Sequence, residues 1–259
     1  MNLSRRSFFV KSAVGAAALA SIPAIVSASI PSASEQTKDK YSLFGNGNTI
    51  LFQGDSITDG NRGRNTDPNH IMGHGYAFSI ASRVGADYPE KRYQFYNRGI
   101  SGNKVTDLKQ RWQADTLDLK PDVLSILVGV NDSNSIVFKR QPSVSVEEYE
   151  ENYEALLEKT KSVFPKIILV LCEPFILKVS RMIENWDASY SDMSKRQEIV
   201  RKLSQKYDTV FVGFQEVFDK ACEKVPCDYW IWDGVHPTVP GHELMAREWI
   251  KQVEKRISF

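Results

Sequence analysis

Cysteine is scarce in this sequence. Three in 259 residues are too few for the disulfide framework that staples small secreted domains. Cys172 closes an apolar run and reads as a buried strand residue. Cys222 and Cys227 could pair in an oxidising compartment or stay as two thiols. Histidine is nearly as rare, with four residues, and no Cys/His cluster has the spacing of a zinc site. A charge excess is also missing. Lys and Arg number 33 against 32 Asp and Glu, a net charge of +1. Nucleic-acid binders usually carry a basic excess or stripe, so nucleic acid is not the expected partner. Lys91-Arg92 and Lys195-Arg196 read as solvated surface. There is no internal repeat. Beyond residue 33 no stretch is long and apolar enough to span a bilayer.

The first thirty-three residues read as an address and not as fold. Arg5-Arg6-Ser7-Phe8-Phe9 and Lys11 precede a small-residue apolar run ending near Ile30, the layout of an export signal. Paired arginines followed by two phenylalanines resemble the twin-arginine type. Val26-Ser27-Ala28 offers a cleavage site, and Ser32-Ala33 a later one. Pro23 and Pro31 interrupt the run, which argues against a spanning helix. The expected organisation is a signal over 1–33, a linker over 34–47 and one domain over 48–259. After removal of the signal no stable membrane anchor is expected, and the protein is expected in the periplasm or outside the cell.

The domain alternates short apolar runs with longer amphipathic ones. Strands are expected at 49–53, 93–97, 122–128, 167–172 and 209–212. Helices are expected at 75–86, 105–115, 146–163, 193–207 and 239–257. In 146–163, Tyr149, Tyr153, Leu156 and Leu157 recur at helical spacing. Strand–helix alternation implies crossover units and a parallel α/β sheet. Near-continuous apolar strands fit a sheet covered on both faces. Ligands then bind beyond the carboxyl ends of the strands.

Four polar clusters fall at such ends or in the last loop. Gly54-Asp55-Ser56 follows the first strand, and a hydroxyl there projects toward the crevice. Alone this is an ordinary turn or helix cap. Asn97-Arg98-Gly99 and the glycine at 102 follow the second strand, where glycine lets a backbone N–H approach a substrate. Gly129-Val130-Asn131-Asp132 follows the third, and the Asn131 amide can donate to a developing oxyanion. Asp233-Gly234-Val235-His236 precedes the last helix. There a carboxylate can orient an imidazole as base. A serine hydroxyl needs such a base to become a nucleophile.

These four blocks, in this order, resemble the SGNH/GDSL hydrolase family over most of the chain after residue 47. The resemblance implies a flavodoxin-like three-layer α/β/α sandwich and a carboxylic ester hydrolase working without a cofactor or metal. It implies Ser56 as nucleophile, His236 as base and Asp233 as its orienter. The oxyanion hole would be the Ser56 N–H, the Gly99 N–H and the Asn131 side chain. The family includes lipases, thioesterases and carbohydrate deacetylases, so the blocks set the reaction and not the substrate. Loops 61–74 and 174–190 are polar and aromatic, which favours short acyl esters on a carbohydrate, acetate above all. The expected partner is thus a small-molecule or polysaccharide ester. Asp55, Arg62, His74, Trp186 and Trp232 are the candidate substrate contacts. Phe175-Ile176-Leu177 is the opposing feature, a short apolar run that could line an acyl pocket. The other readings are a lipid or thioester acylhydrolase and a non-catalytic carbohydrate-binding protein on the same fold. His70 and His74 fall in a loop with Pro68 and Gly73, so their spacing does not make a metal pair. His242 is expected to brace the start of the last helix.

Overall fold

Continuous apolar strands need cover on both faces, and the chain supplies it. The computed structural model describes residues 41–42, 47–65 and 67–259. The export leader expected over 1–33 lies outside them. A two-residue strand β1 (Tyr41–Ser42), inside the stretch expected as linker, pairs with the last strand of the chain. Then come β2 (Thr49–Gly54), α1 (Ser56–Asp59), α2 (Tyr76–Asp87), β3 (Gln94–Asn97), α3 (Val105–Asp115), β4 (Val123–Leu127) and α4 (Val130–Val137). The second half has α5 (Val146–Val163), β5 (Ile168–Cys172), α6 (Trp186–Lys206), β6 (Val210–Val212), α7 (Phe214–Cys222), α8 (Val239–Val253) and β7 (Ile257–Ser258).

The main sheet has five parallel strands in the order β3-β2-β4-β5-β6. This is the flavodoxin-like order, with the chain reversing its direction of growth between β2 and β4. Alternate side chains feed opposite layers, as a strand requires. Ile50 and Phe52 pack into the core shared with α2, α7 and α8. Leu51 packs into the core shared with α3, α5 and α6. The result is an α/β/α sandwich, as the family resemblance implied.

Several elements differ from expectation for local reasons. Helix α6 begins at Trp186, seven residues before the expected start. Its first turns carry solvated Asp187 and Glu184 precedes them, so the apolar spacing starts late. Helix α4 was hidden because its buried residues are mostly polar, among them Asp132, Ser133, Asn134 and Ser135. The closing helix stops at Val253 because Ile257–Ser258 leave it to pair with β1. It starts at Val239, where Thr238 caps it by accepting from the Gly241 N–H. Cys222 and Cys227 form a disulfide, tying the end of α7 to the segment before the last loop. No described helix is long and apolar enough to cross a membrane.

Candidate active site

Ser56 sits where the sheet order reverses, two residues past the end of β2. The turn is tight. A Cβ on Gly54 would lie 2.3 Å from the Leu127 carbonyl and 2.4 Å from the Thr58 hydroxyl, so only glycine fits. Asp55 caps α1, its Oδ1 accepting from the Ile57 N–H at 3.0 Å. Its side chain is buried, with the residue 1% exposed. The expected substrate contact at Asp55 is therefore corrected to a structural cap: the carboxyl faces the interior. Burial pushes it up from an ordinary 3.8 to about 7.

That shift has a stability consequence. The folded Asp55 holds its proton up to about pH 7, while the unfolded chain releases it near 3.8. The stabilisation is full below 3.8 and is lost as pH rises toward 7. Asp55→Asn keeps a cap acceptor and the volume but cannot ionise. Relative to the parent it should gain roughly 2–4 kcal/mol between pH 4 and pH 8. Urea unfolding at the two pH values checks this. A difference that does not change with pH would mean Asp55 is not held protonated.

The loop before α8 brings its two partners to the serine. His236 Nε2 lies 2.8 Å from Ser56 Oγ. His236 Nδ1 lies 2.8 Å from Asp233 Oδ2. Asp233 Oδ1 accepts the N–H groups of Val235 at 3.0 Å and His236 at 2.7 Å, so the carboxylate also ties its own loop. Burial alone would raise Asp233, but the His236 ring and these two backbone donors outweigh it and hold it at about 2. Asp233 is thus ionised at any ordinary working pH. Gly234 makes the turn at φ 89°, and its carbonyl accepts from the Leu177 N–H at 2.9 Å. Arg181, from the same segment, stands 2.8 Å from Asp233 Oδ2. Nothing in the sequence marks Arg181, because it is 52 residues away in a loop without a motif.

The three expected oxyanion donors are not equivalent. Ser56 opens α1, so its N–H has no partner within the helix. Asn131 lies in the first turn of α4, after Gly129 at φ 141°, and its Nδ2 donates to the Asn103 carbonyl at 3.1 Å. That leaves its second amide hydrogen open. Gly99 departs from expectation. Its N–H already donates to Asn97 Oδ1 at 2.9 Å. Its lack of a side chain is explained by packing, since a Cβ there would sit 2.4 Å from the Asp59 nitrogen. Asn97 stands in the second polar cluster, but nothing in the sequence marks its role. Its buried amide donates to the carbonyls of Thr58 at 2.6 Å and Met72 at 2.9 Å, locking α1 to loop 61–74.

The other expected contacts are distributed around this centre. Arg62 is half-buried and donates Nε to the Gly99 carbonyl at 3.0 Å. His74 is exposed, and its N–H donates to the Gly60 carbonyl at 2.9 Å. Trp232 is 62% exposed and stacks on the His236 ring, centroids 6.2 Å apart. Trp186 stacks on Tyr190 at 5.3 Å on the first turns of α6, not in a loop. Phe175, Ile176 and Leu177 are buried in the core, Phe175 against Phe214 and Phe218, so this run is not an open acyl pocket. His242 Nδ1 accepts from the Tyr76 N–H at 3.1 Å and so links α8 to the start of α2. Burial, then the nearby His74 and His236, lower it to about 4, and it stays neutral. Among the described residues no three His, Cys, Asp or Glu side chains gather as a metal site would require.

Residues 52–244 match the model of the GDSL-like Lipase/Acylhydrolase family. An acetylxylan esterase of Geobacillus stearothermophilus is 33% identical over 214 residues, covering 81% of this chain and 95% of that one. Its crystal structure superposes with a TM-score of 0.71 at 32% identity, covering 81% of this chain and 95% of that one. Catalytic mutants of that esterase replace a serine and an aspartate by alanine. A structure of GDSL-like lipase type from Parabacteroides merdae superposes with a TM-score of 0.77 at 42% identity, covering 82% of this chain and 97% of that one.

Proposed function

The chain belongs to the GDSL-like lipase/acylhydrolase family and is a carboxylic ester hydrolase; from that premise we propose that it removes acetyl groups from a carbohydrate through a Ser56-His236-Asp233 triad. The observation that carries the reading is the pair of 2.8 Å contacts from Ser56 Oγ to His236 and from His236 to Asp233. His236 Nε2 takes the hydroxyl proton as Ser56 Oγ attacks the acyl carbon. Asp233 fixes the tautomer and supports the imidazolium. The proton then passes to the departing sugar alkoxide, leaving an acyl-enzyme. Water, deprotonated by the same nitrogen, releases the acid.

The developing oxyanion is held by the Ser56 N–H and by the amide hydrogen of Asn131 that Asn103 does not take. Asn131→Ala should lower kcat by about 10²–10³-fold with little change in KM, because the donor acts in the transition state. A change in KM alone would make Asn131 a binding or capping residue.

Support for a sugar comes from the rim. Trp232 offers an exposed ring beside the base. Loop 61–74 is charged and polar. Long acyl chains lose support with the burial of Phe175, Ile176 and Leu177. Similarity to an acetylxylan esterase points the same way. The test is kcat/KM on acetyl, butyryl and octanoyl p-nitrophenyl esters beside acetate release from acetylated xylan. The acetyl ester should be fastest and xylan should be deacetylated. An enzyme fastest on octanoyl and silent on every acetylated sugar is a lipid acylhydrolase instead.

Export belongs to the same reading. The arginine pair opens the leader, and the Cys222–Cys227 disulfide suits an oxidising compartment. Lysine at positions 5 and 6 should block export of a reporter carrying residues 1–33. Export that persists would refute the twin-arginine route.

A further inference from the structure

Four arginines crowd the carboxyl end of β3, next to the proposed oxyanion site. Arg62 and Arg64 come from loop 61–74, Arg98 follows β3, and Arg111 comes from α3. Two carboxylates face them, and both are taken. Asp59 is held bidentately by Arg64 at 2.8 and 2.9 Å. Asp115 is bonded by Arg111 at 3.0 Å. The remaining two cations are left over. Among the described residues Arg62 makes no ion pair, and its side chain has one bond, from Nε to the Gly99 carbonyl at 3.0 Å. Arg98 approaches only Asp115, at 3.9 Å, and its Nε is buried without a hydrogen-bond partner. Clustered like charges repel. Burial and then Arg64 draw Arg62 down to about 10, with Arg98 contributing in the same sense. A fold holds such a cluster at a cost that an arriving anion would relieve.

Space for that anion adjoins it. A cavity of about 240 Å³ is lined by Asn65, Ile71, Tyr96, Asn97 and Arg98. It has the makings of a sugar subsite: the Tyr96 ring, the Asn65 amide and the Arg98 guanidinium. Arg98 lies over the Tyr96 ring at 5.7 Å, which orients its planar fork. Nothing bonds the terminal nitrogens of Arg62 or Arg98 among the described residues, and such forks match a carboxylate geometrically.

We propose that this cavity, with Arg98 in its wall, is a subsite for a carboxylate-bearing sugar, so that the substrate class is an acetylated glycan carrying uronic acid units. The inference rests on the carbohydrate reading above and narrows it. The uronate seats against Arg98 and Tyr96 while a neighbouring acetylated sugar reaches Ser56 past Gly99.

The experiment compares kcat/KM for two acetylated xylooligosaccharides of equal length, one neutral and one bearing a uronic acid. A second arm measures inhibition of p-nitrophenyl acetate hydrolysis by the corresponding unacetylated oligosaccharides. Both arms use the parent enzyme, Arg98→Gln and Arg98→Lys, and the readout is the acidic-to-neutral ratio within each protein, which a general loss of folded enzyme does not move. The parent should favour the acidic sugar about tenfold in both arms, equivalent to about 1.4 kcal/mol. The ratio should fall toward one in Arg98→Gln, recover in part in Arg98→Lys, and shrink at high salt. A parent ratio of one in both arms overturns the subsite, as does a preference that Arg98→Gln leaves intact. Deacetylation of both sugars at equal rates with equal inhibition removes the subsite and leaves the proposed function standing. Silence on both acetylated sugars with selective inhibition by the acidic one does the reverse.

Discussion

Ser56→Ala is expected to lower kcat on p-nitrophenyl acetate by about 10⁶-fold, the scale seen when a triad nucleophile is lost. The protein should still fold. Ser56 is only partly buried, and the turn that presents it is fixed elsewhere: by Gly54 against the Leu127 carbonyl, by the Asp55 cap, and by the Asn97 amide on the Thr58 carbonyl. None of these uses the hydroxyl. The thermal midpoint should therefore stay close to that of the parent. The residual rate should exceed that of water, because the oxyanion donors and binding remain. Near-parental turnover in a clean preparation would remove Ser56 as nucleophile.

Asp233→Asn should cost about 10⁴-fold in kcat through the wrong imidazole tautomer. The isosteric amide can still accept the Val235 and His236 N–H groups on one oxygen, so the loop should hold its shape. What it loses is the charge that His236 Nδ1 and Arg181 both approach at 2.8 Å. The pH profile gives an independent check. Asp233 sits at about 2, so its protonation does not shape the acid limb of the parent above pH 4. A limb that follows a carboxylate near its ordinary value would contradict that assignment.

The candidate site was more legible in the sequence than the residues that brace it. Local blocks announce Ser56, Asn131, Asp233 and His236, because each needs only a strand end or a tight loop. The central strands are legible because burial on both faces forces continuous apolar runs. Supporting residues lack such a signature. Arg181 on Asp233 and Asn97 beneath α1 act across the fold, and no periodicity reports a long-range polar contact. Helix α1 has four residues, too few for a pattern, and α4 buries polar side chains where a helix usually buries apolar ones. Gly99 shows the limit of reading a glycine alone. The sequence suggests it for its N–H, which Asn97 occupies, and the close approach of α1 accounts for the missing side chain. Asp55 shows the same limit, since a polar residue beside a nucleophile can face inward as a cap.

The central claim is that Ser56 carries the acyl group between two half-reactions. Acid quenching during turnover of an activated acetyl ester, followed by peptide mass analysis, tests it directly. One added acetyl group is expected on the peptide containing Ser56, and none in Ser56→Ala. Full turnover with Ser56 unmodified, or the acetyl group on another residue, would contradict it.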